Sequence, residues 1–129
     1  MKNTMATNGV LISVQVAYNQ EYSSPHENKY IFVYKISLKN LNTFTVQLIS
    51  RHWYIFDSNG FKSEVEGEGV VGKQPILLPD EVHQYSSWSS ISSEMGSMEG
   101  TYTMKNIDTD EFFEVTIPTF QLVAPNKMN

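Results

Sequence analysis

The stretch Phe44-Thr45-Val46-Gln47-Leu48-Ile49-Ser50-Arg51-His52-Trp53-Tyr54-Ile55-Phe56-Asp57, closed by Ser58-Asn59-Gly60, decides the fold. Phe44 to Asp57 reads as one long strand. Asp57-Ser58-Asn59-Gly60 is a hairpin signal, because Asn and Gly adopt positive φ at low cost. Phe61 to Glu66 is then the returning strand. Along the first strand Phe44, Val46 and Leu48 face inward, and beyond them the apolar phase moves to Ile49, Trp53 and Ile55. One inserted residue reverses the facing, so a bulge near Ile49-Ser50 accounts for the slip. A strand that changes sheet, or one covered on both faces, would give the same pattern.

Upstream, Val10, Ile12, Val14, Val16 and Tyr18 alternate with Ser13 and Gln15, the period-two pattern of a half-buried strand. Met1 to Asn8 reads as a polar, frayed end, and Gln20 to Asn28 as a surface loop. Tyr30, Phe32, Tyr34, Ile36 and Leu38 alternate with Lys35, Ser37 and Lys39, giving a second strand before the turn Asn40-Leu41-Asn42-Thr43.

Downstream, Pro75 to Glu81 is a short strand closed by a Pro-Asp turn. Val82 to Ser87 alternates again, with His83 and Tyr85 on one side. Ser86 to Ser97, rich in serine around Trp88, reads as an irregular, mobile connection. Met98, Gly100, Tyr102 and Met104 mark the next strand, and Phe113, Val115 and Ile117 the last, joined by Asp108-Thr109-Asp110. The tail after Val123 is polar.

The count is seven to eight short strands, no amphipathic helix and turn signals about every 8 to 14 residues. An all-β, immunoglobulin- or fibronectin-III-like antiparallel β-sandwich is the architecture that satisfies this pattern. With 129 residues and 14.7 kDa the chain suits a single domain, residues 1–129, with its ordered core at about 8–123.

A net charge of −5 and a pI near 5.1 disfavour sequence-independent nucleic-acid binding, which needs clustered Lys and Arg, and docking on an anionic membrane. The same charge attracts divalent cations or basic protein surfaces weakly. The absence of cysteine excludes disulfides, thiolate nucleophiles and zinc-thiolate sites. Val10 to Val16 is too short to span a membrane, no export signal is visible, and a cytoplasmic protein is expected.

Gly67-Glu68-Gly69-Val70-Val71-Gly72 fits G-x-G-x-x-G. A dinucleotide fingerprint requires a helix after the glycines, whose amides and dipole hold the pyrophosphate. Lys73-Gln74-Pro75 and Pro79 leave no room for one, and Glu66 and Glu68 oppose an anion. The expected role is conformational: positive φ, a bulge, or close approach of strands. The lesser reading is a phosphate nest from Gly67, Gly69 and Gly72 with Lys73 and Arg51.

Arg51 and Trp53 share one strand face, and His52 takes the other. Trp53 is the expected core filler, and Arg51 is expected to cover an aromatic ring or meet a carboxylate rather than bind an anion. His26, His52 and His83 lack metal-site spacing, so no metal ligands are assigned, and Asp108, Asp110 and Glu111 read as a solvated turn rather than a cation site. With no G-x-S-x-G motif and no placeable carboxylate pair, catalysis is not expected.

Four blocks carry a family resemblance: Val46 to Trp53, Gly67 to Pro75, Gly96-Ser97-Met98-Glu99-Gly100-Thr101-Tyr102-Thr103-Met104, and Phe113 to Leu122. In order and spacing, from about Asn8 to Leu122, they closely resemble the ApaG family. The resemblance implies a fibronectin-III-like sandwich. It also implies association with bacterial cobalt and magnesium efflux or tolerance, without an established catalytic mechanism. Similar domains appended to eukaryotic F-box proteins and a polymerase-interacting protein imply protein binding. The family's glycine motif, proposed to bind pyrophosphate, maps onto Gly67, Gly69 and Gly72. His83 stands where the family usually has an aromatic residue and Trp88 where glycine is common, and both change the shape of that edge.

The resulting expectation is a non-catalytic interaction module without a cofactor, whose partner is another protein. Pyrophosphate or a divalent cation is the alternative ligand.

Overall fold

The computed structural model describes residues 2–125. Nine strands occur among them: β1 Lys2–Thr7, β2 Val10–Tyr18, β3 Tyr30–Asn40, β4 Val46–Asp57, β5 Lys62–Glu68, β6 Ile76–Leu77, β7 Val82–Ile91, β8 Met95–Asn106 and β9 Phe112–Val123. They form a four-stranded sheet, β1-β2-β3-β7, and a five-stranded sheet, β5-β4-β8-β9 with β6 also on β4. Every pairing is antiparallel. This is the fibronectin-III-like sandwich that the alternation predicts.

The inward positions meet as one core. Val10, Ile12 and Val14 of β2 and Phe32, Tyr34, Ile36 and Leu38 of β3 pack against Val46, Leu48, Trp53, Tyr102, Met104, Val115 and Ile117. Each such side chain contributes about 1.5–3 kcal/mol by leaving water. Trp53 is 2% exposed. Its ring lies 5.4 Å from Tyr34 and 5.9 Å edge-on from Phe120, as expected of the core filler.

The phase slip in β4 is a bulge, since the register with β8 shifts between Leu48 and Ser50. A second bulge, between Met98 and Gly100, lets β9 carry Pro118 inside the strand and resume with Phe120 and Leu122 inward. Gly100 is required there, because a Cβ would stand 2.1 Å from the His52 carbonyl oxygen.

Two expectations are corrected. The N-terminal residues are a strand, not a frayed end: β1 pairs with β2 from Lys2↔Gln15 to Thr7↔Val10. The cause is Asn8-Gly9, whose φ angles of 47° and 78° build the mirror-image turn that matches strand twist. The Asn3 and Asn8 side chains then donate to the Thr119 and Glu114 carbonyls of β9, tying the two sheets at this edge. The serine-rich segment is not irregular through its first half. β7 continues to Ile91, paired with β3 from Lys39↔Val82 to Tyr30↔Ile91. Serine side chains are polar enough for the outward face and small enough for the inward one, where Ser89 is buried. The polar tail lies, from residue 126, outside the described residues.

Candidate functional site

The glycine motif is a hairpin at one end of the sandwich. Gly67 lies within β5, opposite Arg51 of β4. The Gly69 amide donates to the Ile49 carbonyl at 2.8 Å. Val70 and Lys73 donate to each other's carbonyls at 2.7 and 3.1 Å, closing a two-residue turn of Val71 and Gly72. Both turn residues have positive φ, 48° and 75°, a type I′ arrangement that a β-branched residue adopts only under strain. The Gly69 and Lys73 amides are thus engaged within the backbone.

Each glycine makes room for something specific. A Cβ on Gly67 would fall 2.8–3.0 Å from the Arg51 guanidinium, and one on Gly69 2.2 Å from the Lys73 carbonyl oxygen. Arg51 Nη1 donates to the carbonyls of Glu68 and Gly69, both at 3.0 Å. Of the residues proposed from sequence, Gly67, Gly69 and Arg51 therefore meet in one arrangement. Gly72 sits at the turn tip, where a Cβ would meet nothing, and Lys73 at the turn's closing pair.

Among the described residues Arg51 forms no ion pair with a carboxylate. Its guanidinium instead lies within electrostatic reach of the buried Tyr34 and Tyr102 and the half-buried Tyr85, and its charge counters the upward pKa shift of each. Burial pushes the Tyr34, Tyr85 and Tyr102 hydroxyls above their usual range. The Tyr85 and Tyr102 hydroxyls bond to each other across the two sheets. His83, stacked on Tyr85 at 6.2 Å, is pushed down by desolvation first and by the Lys73 charge second. The Tyr85–Tyr102 pair is thus a neutral polar clasp between the sheets.

The outward faces differ in charge. On the five-stranded sheet, Glu64, Glu66 and Glu68 of β5 line up with His52 of β4. Glu99 and Glu114 occupy the same face on β8 and β9. His52 is bracketed by two carboxylates, with Nε2 3.0 Å from Glu64 and Nδ1 3.0 Å from Glu66, and its ring stacks on Tyr54 at 4.4 Å. One ligand atom from each of His52, Glu64 and Glu66 lies within 4.8 Å of the others. The spacing of His52 alone hid this group. The hairpin register set by Asn59-Gly60 was the available signal, because it places Glu66 opposite His52.

On the four-stranded sheet, Lys35 and Lys39 of β3 face outward, and the outward positions of β2, β3 and β7 hold no carboxylate. Beside Lys35 lies an apolar groove of about 360 Å³ lined by Asn19, Tyr22, Lys29, Ile31, Val33 and Trp88. Trp88 is 64% exposed and stands opposite Val33. Reading this segment as irregular concealed the alternation Ser86, Trp88, Ser90 that turns the indole outward. Among the described residues no helix is long and apolar enough to cross a membrane.

Asp108-Thr109-Asp110 is a hairpin turn as expected, with Asp110 3.0 Å from Lys105 and the Asn106 side chain capping the Asp108 amide.

The ApaG domain model matches residues 20–106. Protein ApaG of Brucella abortus (strain S19) is 43% identical over 121 residues, covering 94% of this chain and 92% of that protein. Protein ApaG of Shewanella pealeana is 43% identical over 120 residues, covering 93% and 94%. The crystal structure of the ApaA protein from Bordetella pertussis superimposes with a TM-score of 0.86 at 38% identity, covering 90% of this chain and 94% of that one. Sequence, strand order and fold agree along nearly the whole length, and the chain belongs to the ApaG domain family.

Proposed function

We propose that this domain is a non-catalytic interaction module whose partner is another protein. The observation that carries this reading is the outward face around Trp88. A large aromatic ring at 64% exposure, set in an apolar groove, is held there by a well-paired strand rather than by a loose loop. Exposed apolar patches of this kind mark interaction sites.

Cobalt and magnesium tolerance, which the family resemblance implies, enters through that partner: a transporter or its regulator, met in the cytoplasm. A photo-crosslinking residue at Gln84, outward on β7, is expected to give a discrete protein adduct in cells that Trp88→Ala abolishes. The same probe at Thr116, on the opposite face, is expected to give none. No adduct above background at Gln84 would end this reading.

A second reading, direct divalent-cation binding, has the His52–Glu64–Glu66 group in its favour. It ranks second because both ring nitrogens already face carboxylates, so a cation must replace at least one of these contacts. Calorimetry with cobalt and magnesium tests it, and heat indistinguishable from dilution would remove it. The pyrophosphate reading of the glycine hairpin gains no support from its geometry, because the Gly69 and Lys73 amides already serve backbone carbonyls.

A further inference from the structure

We infer that the Trp88 face takes an extended, acidic segment of its partner, which adds as a strand to the free edge of β7 and sets an apolar side chain against Trp88. This rests on the interaction-module reading and specifies the chemistry of the partner.

The edge comes first. β7 lies at the end of its sheet, bonded to β3 on one side only. Its 10 residues, Val82 to Ile91, include no Lys, Arg, Asp, Glu or Pro. Native sheets protect long edges with charge, proline, bulges or a covering segment. The three other edges have such protection: β5 carries Lys62, Glu64, Glu66 and Glu68, β9 carries Glu114 and Pro118, and side chains at each end of β1 bond to β9. β7 alone among these offers an uncharged ladder, the template that strand addition uses.

The groove comes second. An added strand would lie one strand spacing, about 4.8 Å, beyond β7 and present every second side chain on the outward face. A residue placed beside Trp88 would cover the exposed indole from the edge side, while Tyr22, Ile31 and Val33 back the same indole from the β3 side.

Charge comes third and selects the segment. Lys29 lines the groove, and Lys35 stands opposite Ser86 on the neighbouring strand. An added strand is about two strand spacings from β3, roughly 10 Å, which a lysine and a carboxylate side chain span together. Glu21 and Glu27 lie in the adjoining loop, but the outward strand positions of this face hold no carboxylate, so an acidic partner is steered here and away from Glu64, Glu66 and Glu68.

The test is selection of random decapeptides displayed on phage against the full chain, with selected peptides synthesised and titrated by amide NMR. The expected winners carry Asp or Glu on both sides of one aromatic or aliphatic residue. They should shift amides of residues 82–91 and 29–33, weaken at least tenfold on Trp88→Ala, and weaken as salt rises. Trp88→Ala is checked for an unchanged melting temperature, and Lys35→Glu is expected to reduce binding without touching the apolar groove. Basic winners, no sequence enrichment, shifts on the Glu64–Glu68 face, or undiminished binding to Trp88→Ala would each overturn the inference. So would concentration-dependent self-association through β7, or saturable binding of an oligothymidylate to this face. If peptide selection fails while the Gln84 crosslink persists, the partner chemistry falls and the interaction module stands.

Discussion

Trp53 and Trp88 are the same side chain in opposite settings. Trp53 lies between the sheets against Tyr34 and Phe120, at 2% exposure; Trp88 lies outside, at 64%, opposite Val33. Both sit on regular strands, so backbone conformation does not separate them. What separates them is which side of the pleat each occupies, and therefore whether a second sheet covers it. An indole between sheets supports the fold, whereas an indole outside is free for a partner to cover.

The sharpest test of this contrast is Trp53→Ala, expected to cost about 3–5 kcal/mol because the vacated space cannot collapse between two sheets. Urea unfolding measures it, and an unchanged midpoint would place the ring outside the core.

Next is Gly69→Ala, which forces a Cβ into a positive-φ position beside the Lys73 carbonyl. A loss of about 1–3 kcal/mol is expected. A neutral result would mean that the hairpin is not fixed by that close approach, and would reopen a ligand role for its amides.

Val71→Asn tests whether exposure alone predicts neutrality. Val71 is exposed yet held at φ 48°, so asparagine, which tolerates that conformation, should raise stability by about 1 kcal/mol. A thermal melt that moves down would show that the valine side chain stabilises the turn.

The fourth concerns acid. Burial by itself would raise the Asp57 pKa, but hydrogen bonds from Ser93 and Ser92 outweigh it and hold the carboxyl below its usual range. The unfolded chain, with a carboxyl pKa near 3.9, then binds more protons than the folded one in the window below that value. The Asp57 contribution is present above about pH 4 and is lost as pH falls through the depressed folded pKa. Asp57→Asn should flatten this part of the acid limb in urea midpoints between pH 5 and about 2. An identical slope in both proteins would show that the serine contacts do not perturb the group.

The smallest effect is expected for Trp88→Ala, within about 0.5 kcal/mol, since nothing covers the ring. If its cost in urea approaches that of Trp53→Ala, the contrast between the two tryptophans is lost and Trp88 becomes part of the fold.

Much of the sandwich was legible. The inward faces of β2, β3 and β8 follow directly from Val10-Ile12-Val14, Phe32-Tyr34-Ile36-Leu38 and Met98-Gly100-Tyr102-Met104. The phase slip after Leu48 was legible as well, but only the register with β8 decided that a bulge causes it rather than a change of sheet or cover on both faces. Two strands were misread through their composition. Polar residues in β1 looked frayed although Asn8-Gly9 folds them back, and serines in β7 looked irregular although β3 pairs with every one from Ser86 to Ser90. Of the candidate site, the glycines' conformational role could be argued from the missing helix. Arg51 donating to the Glu68 and Gly69 carbonyls could not, because it depends on β5 lying beside β4 in one particular register.

The sequence by itself determined the strand class, the inward faces of β2, β3 and β8 and the family, since period-two alternation and ordered motifs are local or linear properties. Tertiary structure alone decided which outward residues became neighbours. Lys35 beside Trp88, and His52 between Glu64 and Glu66, arise from cross-strand register. Register joins residues far apart in the chain, so it leaves no mark in the pattern of any single strand.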